Sequence, residues 1–479
     1  MKNINMKNVA FAVILTLSTF IMFSQESDCN CRLVYDDLTE KIEYNYIGLA
    51  QMRISKKNLE YDKRKEEFKR KLVDIQPKDC SKFLQNFLEY FQDGHVFVYE
   101  QPKYSEKERI HYEKNIKNNL VDVNSILKAL TFEKNRAKNN NRIDIIGKWT
   151  DGTSEIGIIK DDGYYNAYIL SSKLKTVEPG ELKAQFEASN KGFNGTYYSY
   201  NYAPRFVEGN IYKENTLLVL TGGTYWKKLG SLSNREASII NKEEINLPVI
   251  KKLDDKNTLF SIPSFLADYT KFIKVITDNI DLLSNTTNLI IDIRGNTGGN
   301  AIYFSFLDTY ATHTLKGSQG LVLASKSTQE YFERLAKNSP ETYQPIVESI
   351  QNNIGNIIDG PKYPDKQFPH FESKIENVAI LTDNGTMSAA ESFILHSKGA
   401  SNKVKTFGST TGGVIDYTSV NIIRLESGNQ NIFFGYPTST YHKNIPANGY
   451  NKTGIIPDIQ IASNEADKIK FIINYYKNN

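Results

Sequence analysis

Long apolar runs are missing from all but the first two dozen residues of this 479-residue chain, which excludes a polytopic membrane protein. The run that does occur, Val9 to Phe23, falls short of the ~20 residues a spanning helix needs. Lys2 and Lys7 precede it and the small polar stretch Ser24-Gln25-Glu26-Ser27 follows, the layout of a secretory signal peptide over about residues 1–24. The mature chain is therefore expected to be exported, to the periplasm or the exterior, with no membrane span. Cysteine is also scarce. Cys29, Cys31 and Cys80 are too few for a disulfide-built scaffold, and no His or Cys pair at zinc-site spacing accompanies the Cys-x-Cys. In an oxidising compartment one pair could join the N-terminus to a nearby helix, and the odd cysteine leaves the pairing open. The residues before Cys29, Gln-Glu-Ser-Asp, lack the small apolar side chains a lipidation site would want. Neither charge dominates: 59 Lys and Arg face 55 Asp and Glu, a net +4, and no long block of one sign occurs. Nucleic acid is not an expected partner on this balance.

The length exceeds what one hydrophobic core fills, roughly 250 to 300 residues, so two or three domains are expected. Residues 25–140 read as a helical domain. Val34, Leu38 and Ile42 mark one helix, and Tyr61, Phe68, Leu72 and Ile75 a second that Pro77 ends. Phe83, Leu84, Phe87, Leu88 and Phe91 give the clearest period. That third helix is expected to stop at Asp93-Gly94, with glycine in the left-handed conformation, before a strand at His95 to Tyr99. A charged, Asn-rich stretch near Glu133 to Asn141 marks a boundary. Residues 142–232 then read as an all-β module, with a hairpin at Asp162-Gly163 and strands at Gly195 to Tyr202 and Thr216 to Leu220. Its opening Ile146-Gly147-Lys148-Trp149 loosely resembles the start of lipocalin-like barrels, and a small sandwich fits nearly as well. From residue 255 to 479 strands alternate with helices, an α/β pattern. Thr258 to Pro263 is a strand, Tyr269 to Leu283 a helix, and Asn288 to Ile293 and Val378 to Leu381 are buried strands. Strands at Val420 to Leu425 and Ile432 to Tyr436 lead into a terminal helix at Ala466 to Tyr476.

Two segments could carry chemistry. In the first, a buried strand runs through Thr382-Asp-Asn-Gly-Thr-Met into Ser388-Ala-Ala-Glu391, so that a serine opens a helix. A hydroxyl there projects from a sharp turn, and the helix N-terminus favours negative charge developing on a substrate oxygen. The same spacing also makes a capping box, with Ser388 as cap and Glu391 three residues on. In the second, a strand ends in Asp292-Ile-Arg294-Gly-Asn-Thr-Gly298-Gly299. No Walker lysine follows and the Gly-x-Gly-x-x-Gly spacing is absent, so a donor of oxyanion N–H groups fits better than a phosphate cradle. Asp292 and Arg294 could equally form a structural ion pair at a tight turn.

Together these segments resemble the tail-specific or C-terminal-processing peptidases, the S41 serine peptidases. The family order is a D-x-R-x-N-x-G-G loop, here Asp292, Arg294, Asn296, Gly298 and Gly299, then S-x-x-E, here Ser388 and Glu391. A T-x-G loop follows, here Thr410, Thr411 and Gly412, and then G-I-x-P-D, here Gly454, Ile455, Pro457 and Asp458. The resemblance covers about residues 255–465. It implies an α/β (ClpP/crotonase-like) catalytic domain, with the helical bundle in front and the all-β module inserted.

The resemblance also implies a serine peptidase acting on a protein or peptide substrate, with Ser388 as nucleophile and no metal or organic cofactor. The backbone N–H groups of Ala389 and of Gly298 or Gly299 would form the oxyanion hole, and Glu391 would support the turn. Two subgroups differ in their base. In the processing type a lysine directly follows the T-x-G loop, and here that place is Gly413, although Lys398, Lys403 and Lys405 are near in sequence. In the tricorn-like subgroup the base is an upstream histidine in a D-G-H-T motif, and Asp93-Gly94-His95-Val96 matches three of four. His95 is then the base. A glutamate that completes the tricorn-like site is replaced here by Asn451, which could still orient an imidazole. The substrate-capturing PDZ module usual in processing peptidases has no counterpart in residues 142–232. A rival reading, a weak or inactive member of the fold holding an apolar ligand in the β module, follows from the same resemblance. The oligomeric state is not legible.

Overall fold

The computed structural model describes residues 30–478 apart from 77–78, 102–103, 137–144, 190–191, 213–214, 221–223, 230–245, 427–430, 444–448, 452 and 466. The expected signal segment, Cys29, Pro77 and most of the Asn-rich boundary lie outside the described residues. Among the described residues four helices come first: α1 (Cys31–Asn45), α2 (Ile47–Ile54), α3 (Leu59–Lys71) and α4 (Cys80–Leu88). Val34, Leu38 and Ile42 of α1 and Phe83, Leu84 and Phe87 of α4 enter one core, as their 3- and 4-residue spacing requires. A Cys31–Cys80 disulfide ties the first turn of α1 to the first turn of α4, which decides the pairing the sequence leaves open. The chain-entropy account makes closure of such a loop, with a sequence separation of 49, worth about 4 kcal/mol. Two more helices follow, α5 (Glu106–Asn118) and α6 (Val123–Arg136).

After α4 a short 3-10 turn at Glu89–Phe91 ends at Gln92, whose φ is 50°. The left-handed residue is thus Gln92 and not Gly94. Gly94 is required for a different reason: a Cβ there would lie 2.9 Å from a Val414 methyl. The next strand, β1 (Phe97–Glu100), begins two residues after His95.

The middle of the chain is a closed antiparallel barrel of eight strands. They are β2 (Gly147–Thr150), β3 (Ser154–Asp161), β4 (Tyr164–Ser172), β5 (Leu182–Ser189), β6 (Gly192–Tyr198), β7 (Pro204–Tyr212), β8 (Leu217–Leu220) and β9 (Thr224–Lys228). Asp162 and Gly163 both take positive φ and turn the β3–β4 hairpin. A barrel of this size is just wide enough for side chains to fill it. Trp149, Ile156, Phe186, Val207 and Trp226, all fully buried, do so.

Two further sheets are formed among the described residues. One is mostly parallel, in the order β10 (Val249–Lys252), β11 (Asn257–Ser261), β12 (Asn288–Asp292), β15 (Asn377–Thr382), β16 (Val404–Gly408) and β19 (Ile459–Gln460). Leu289 to Ile291 and Val378 to Leu381 are buried on both of its faces. This agrees with their unbroken apolar character. The other sheet is antiparallel and contains β1, β13 (Ser318–Leu323), β14 (Ile357–Tyr363), β17 (Tyr417–Arg424) and β18 (Ile432–Thr440). It joins the ends of the chain: Phe97 of β1 stands opposite Gly435 of β18, and Leu425, Ile432, Phe434 and Tyr436 lie in the core of the N-terminal helices.

The helix expected over Tyr269 to Leu283 is broken. Asn279 caps the end of Tyr269–Asp278 and the start of Ile280–Ser284, because its side-chain amide donates to the Val275 carbonyl and competes with the helical pattern. β13, β14 and the helices Lys326–Ala336 and Pro340–Gln351 occupy a region where the sequence pattern assigns no element. The architecture is mixed α and β with several sheets.

Candidate active site

β12 and β15 are parallel neighbours, so the loops leaving their carboxyl ends emerge side by side, where ligands of parallel sheets bind. Beyond the end of β15 comes Ser388, with φ 53° and ψ −119°. A non-glycine residue is strained in that region and persists there only when its surroundings enforce it. They do: the Met387 N–H donates to the Asn296 carbonyl and the Ser388 N–H to Glu391 Oε2. This is the strand–turn–helix geometry that lifts a serine hydroxyl clear of the backbone.

The Ser388 Oγ lies 2.9 Å from His95 Nε2, across 293 positions of sequence. His95 Nδ1 lies 2.9 Å from the Tyr417 carbonyl oxygen. A carbonyl only accepts, so Nδ1 carries the proton and Nε2 is left to accept from the serine hydroxyl. Asp93 completes the corner. Its Oδ1 accepts the His95 N–H at 3.0 Å and stands 3.9 Å from Nδ1, and its Oδ2 accepts from the buried Tyr46 hydroxyl. Burial lowers the pKa of His95 below the ordinary imidazole value, and the Asp93 carboxylate partly offsets this. Burial raises the pKa of Asp93 itself.

Asn451 makes no hydrogen bond to His95. Its Oδ1 accepts the Ile415 and Asp416 N–H groups, both at 2.9 Å, and the Asp416 carboxylate returns the clamp by accepting from Tyr450 and Asn451. Its role is to fix the backbone just before Tyr417, whose carbonyl orients the imidazole. Asp93 and Tyr417 are orienting groups that reading the sequence passes over. Asp93 carried a signal, because aspartate two residues before His95 suits a turn in which the side chain accepts that N–H; a backbone carbonyl carries none.

Glu391 is fully buried and surrounded by donors: the N–H groups of Ser388, Gly413 and Val414 and the Thr411 hydroxyl. Burial raises its pKa and these four donors pull the other way. It ties the Ser388 turn to the loop on which Gly94 rests. Gly413 leaves no space for the lysine of the processing type. Its φ is 72°, and a Cβ there would lie 2.6 Å from the Tyr450 carbonyl oxygen. The three nearby lysines are held elsewhere: Lys398 on Asp458, Lys403 on the Ile375 carbonyl and Lys405 on the Tyr475 hydroxyl.

Gly298 packs directly against the Ser388 turn, and a Cβ on it would lie 2.9 Å from the Ala389 nitrogen and from Ser388 Cβ. Its N–H, however, is taken by Asn296 Oδ1 at 2.9 Å. Of the two glycines, exposed Gly299 is therefore the candidate donor, together with Ala389, whose N–H opens the helix and has no carbonyl of a preceding turn to reach. Asp292 and Arg294 form a buried two-point ion pair, 2.9 Å at each contact, and stand as a structural brace of this loop.

Asp93→Asn is expected to move the acid limb of kcat/KM to lower pH. If His95 acts as a base it works only while neutral, so activity would fall as pH drops through its pKa, which burial lowers from the ordinary imidazole value. Removing the carboxylate that raises this pKa carries the limb further down. The plateau should also fall, by about 10- to 100-fold. This is less than loss of a triad aspartate costs, because the Tyr417 carbonyl still sets the tautomer. A pH–rate profile of the two proteins checks both effects.

The peptidase family S41 model matches residues 258–461, and no curated protein matches the chain. Among solved structures, mature CPAF has 13% identity over 90% of this chain and 92% of its own, with a TM-score of 0.47. The photosystem II D1 C-terminal processing protease has 11% identity over 90% and 92%, with a TM-score of 0.37. A lipoprotein from Streptococcus agalactiae has 12% identity over 94% and 96%, with a TM-score of 0.37.

Proposed function

We propose that this chain, whose residues 258–461 match the peptidase family S41 model, is a serine peptidase that cleaves peptide bonds through an acyl-enzyme on Ser388, with His95 as general base. The observation that carries the proposal is the 2.9 Å contact between Ser388 Oγ and His95 Nε2 in a turn strained to present the hydroxyl. Ser388 Oγ attacks the scissile carbonyl while its proton passes to His95 Nε2. The tetrahedral oxyanion is held by the Ala389 and Gly299 N–H groups, and His95 then gives the proton to the departing amine. The imidazolium formed on the way faces the Asp93 carboxylate. Water enters by the same base and frees the acid product.

The apolar-ligand reading is less well supported, since Trp149, Phe186 and Trp226 pack with their neighbours into the core of the barrel. Export remains part of the proposal, supported by the N-terminal apolar segment and by a disulfide, which persists in oxidising compartments. Among the described residues no helix is long and apolar enough to cross a membrane.

Digestion of an unfolded protein mixture, with new termini read by mass spectrometry, tests the activity. Discrete cleavages that disappear in Ser388→Ala are expected. Cleavage that persists in that variant, or no cleavage by the unaltered chain, would overturn the proposal.

A further inference from the structure

The glycine loop beside Ser388 does not hold its own shape. Gly295, Gly298 and Gly299 take φ values of 70°, 103° and 134°, which glycine adopts freely and other residues avoid. A donor helps catalysis only if it is aimed before the reaction begins, so this loop has to be tethered from outside. On the core side Asn296 holds the Gly298 N–H and donates to the Ile262 carbonyl. Phe265 pairs with Gly298 and Asn300 through its backbone, and Asp383 accepts the Gly295 N–H.

On the other side stands the barrel. The Tyr225 hydroxyl, on β9, is 3.2 Å from Thr297 Oγ1. Trp226, the next residue, points into the barrel core, so by strand alternation Tyr225 points out of it. Tyr212, the last residue of β7, lays its ring against Gly385 so closely that a Cβ there would sit 2.4 Å from Tyr212 Cδ1. Asp383 joins the two loops these tyrosines touch, accepting from both Gly295 and Gly385.

We propose that Tyr225 is a positioning residue. Through Thr297 Oγ1 it fixes the glycine loop in the conformation that presents the Gly299 N–H to the oxyanion, and the barrel thereby sets the rate of the proposed reaction. This rests on the Ser388 reading, because only an acyl-transfer site needs that N–H aimed. A tether acting on transition-state charge alters kcat and leaves KM and the His95 titration where they were.

The test uses the full chain carrying Tyr225→Phe, Thr297→Val, both together, or Thr297→Ser. Each of the first two should lower kcat by about 3- to 10-fold, the worth of one neutral hydrogen bond. The double variant should fall no further. Thr297→Ser, which keeps the hydroxyl, should match the unaltered chain, and KM and the acid limb should not move. Amide hydrogen exchange at residues 296–300 should quicken in Tyr225→Phe while that of the Ala389–Ala400 helix stays unchanged. An unchanged kcat in either single variant, a multiplicative loss in the double, an effect confined to KM, or unchanged exchange would each overturn the inference. If the unaltered chain cleaves nothing, the peptidase proposal falls instead. The exchange comparison then decides the tether alone: faster exchange supports it and unchanged exchange overturns it.

Discussion

His95→Ala is expected to lower kcat/KM by about 10⁴- to 10⁶-fold while leaving the protein folded. The size of the loss follows from the absence of a substitute base among the described residues of the site. Gly413 occupies the place of the family lysine, with no room for a side chain. Lys398, Lys403 and Lys405 are engaged away from Ser388, and Asp93 reaches the imidazole only through its edge. The fold should tolerate the change. The His95 side chain is mostly buried but reaches the surface, 12% exposed, and the Asp93 carboxylate still accepts a backbone N–H at position 95. Steady-state rates beside thermal melts check both halves. A melt shifted by many degrees would mean that His95 also holds the corner together.

The second large effect is on stability. Glu391→Ala is expected to cost about 3–5 kcal/mol and to abolish activity, since it leaves the donors of Ser388, Gly413, Val414 and Thr411 without their acceptor in the interior. Glu391→Gln should recover little of this. Both carboxylate oxygens accept two donors each, and the amide would turn an N–H₂ toward one of those pairs. The damage should reach His95 as well, because Val414, held through its N–H by Glu391, is the residue against which Gly94 packs. Denaturant unfolding of the two variants measures the cost. A loss below about 1 kcal/mol for Glu391→Ala would mean that water replaces the carboxylate.

What is legible in the sequence divides along physical lines. Buried parallel strands read well because a short, unbroken apolar run suits a strand covered on both faces, and both β12 and β15 fall where Asn288 to Ile293 and Val378 to Leu381 place them. α1 and α4 follow from their period. The region between β12 and β15 does not: helix Lys326–Ala336 buries only a narrow stripe, and β14 alternates poorly. At the site, side chains announce themselves and backbone does not. Ser388, Glu391 and His95 stand out as residue types in a recognisable order. The partner of His95 Nδ1 is a carbonyl, which every residue possesses. The choice between Gly298 and Gly299 turns on one Asn296 hydrogen bond. Asn451 reads as an orienting side chain because its place in the motif order suggests contact. Its actual work is one step removed, on the N–H groups of Ile415 and Asp416.

The proposed chemistry depends on Ser388 being activated by His95. The rate at which a fluorophosphonate probe labels Ser388, followed against pH in the unaltered chain and in His95→Ala, measures that activation without any knowledge of the substrate. Labelling that rises with pH through a midpoint below about 6.5, and that is slower by about 10³-fold or more and no longer follows that titration in the variant, is the predicted result. Labelling of His95→Ala at the unaltered rate would contradict it.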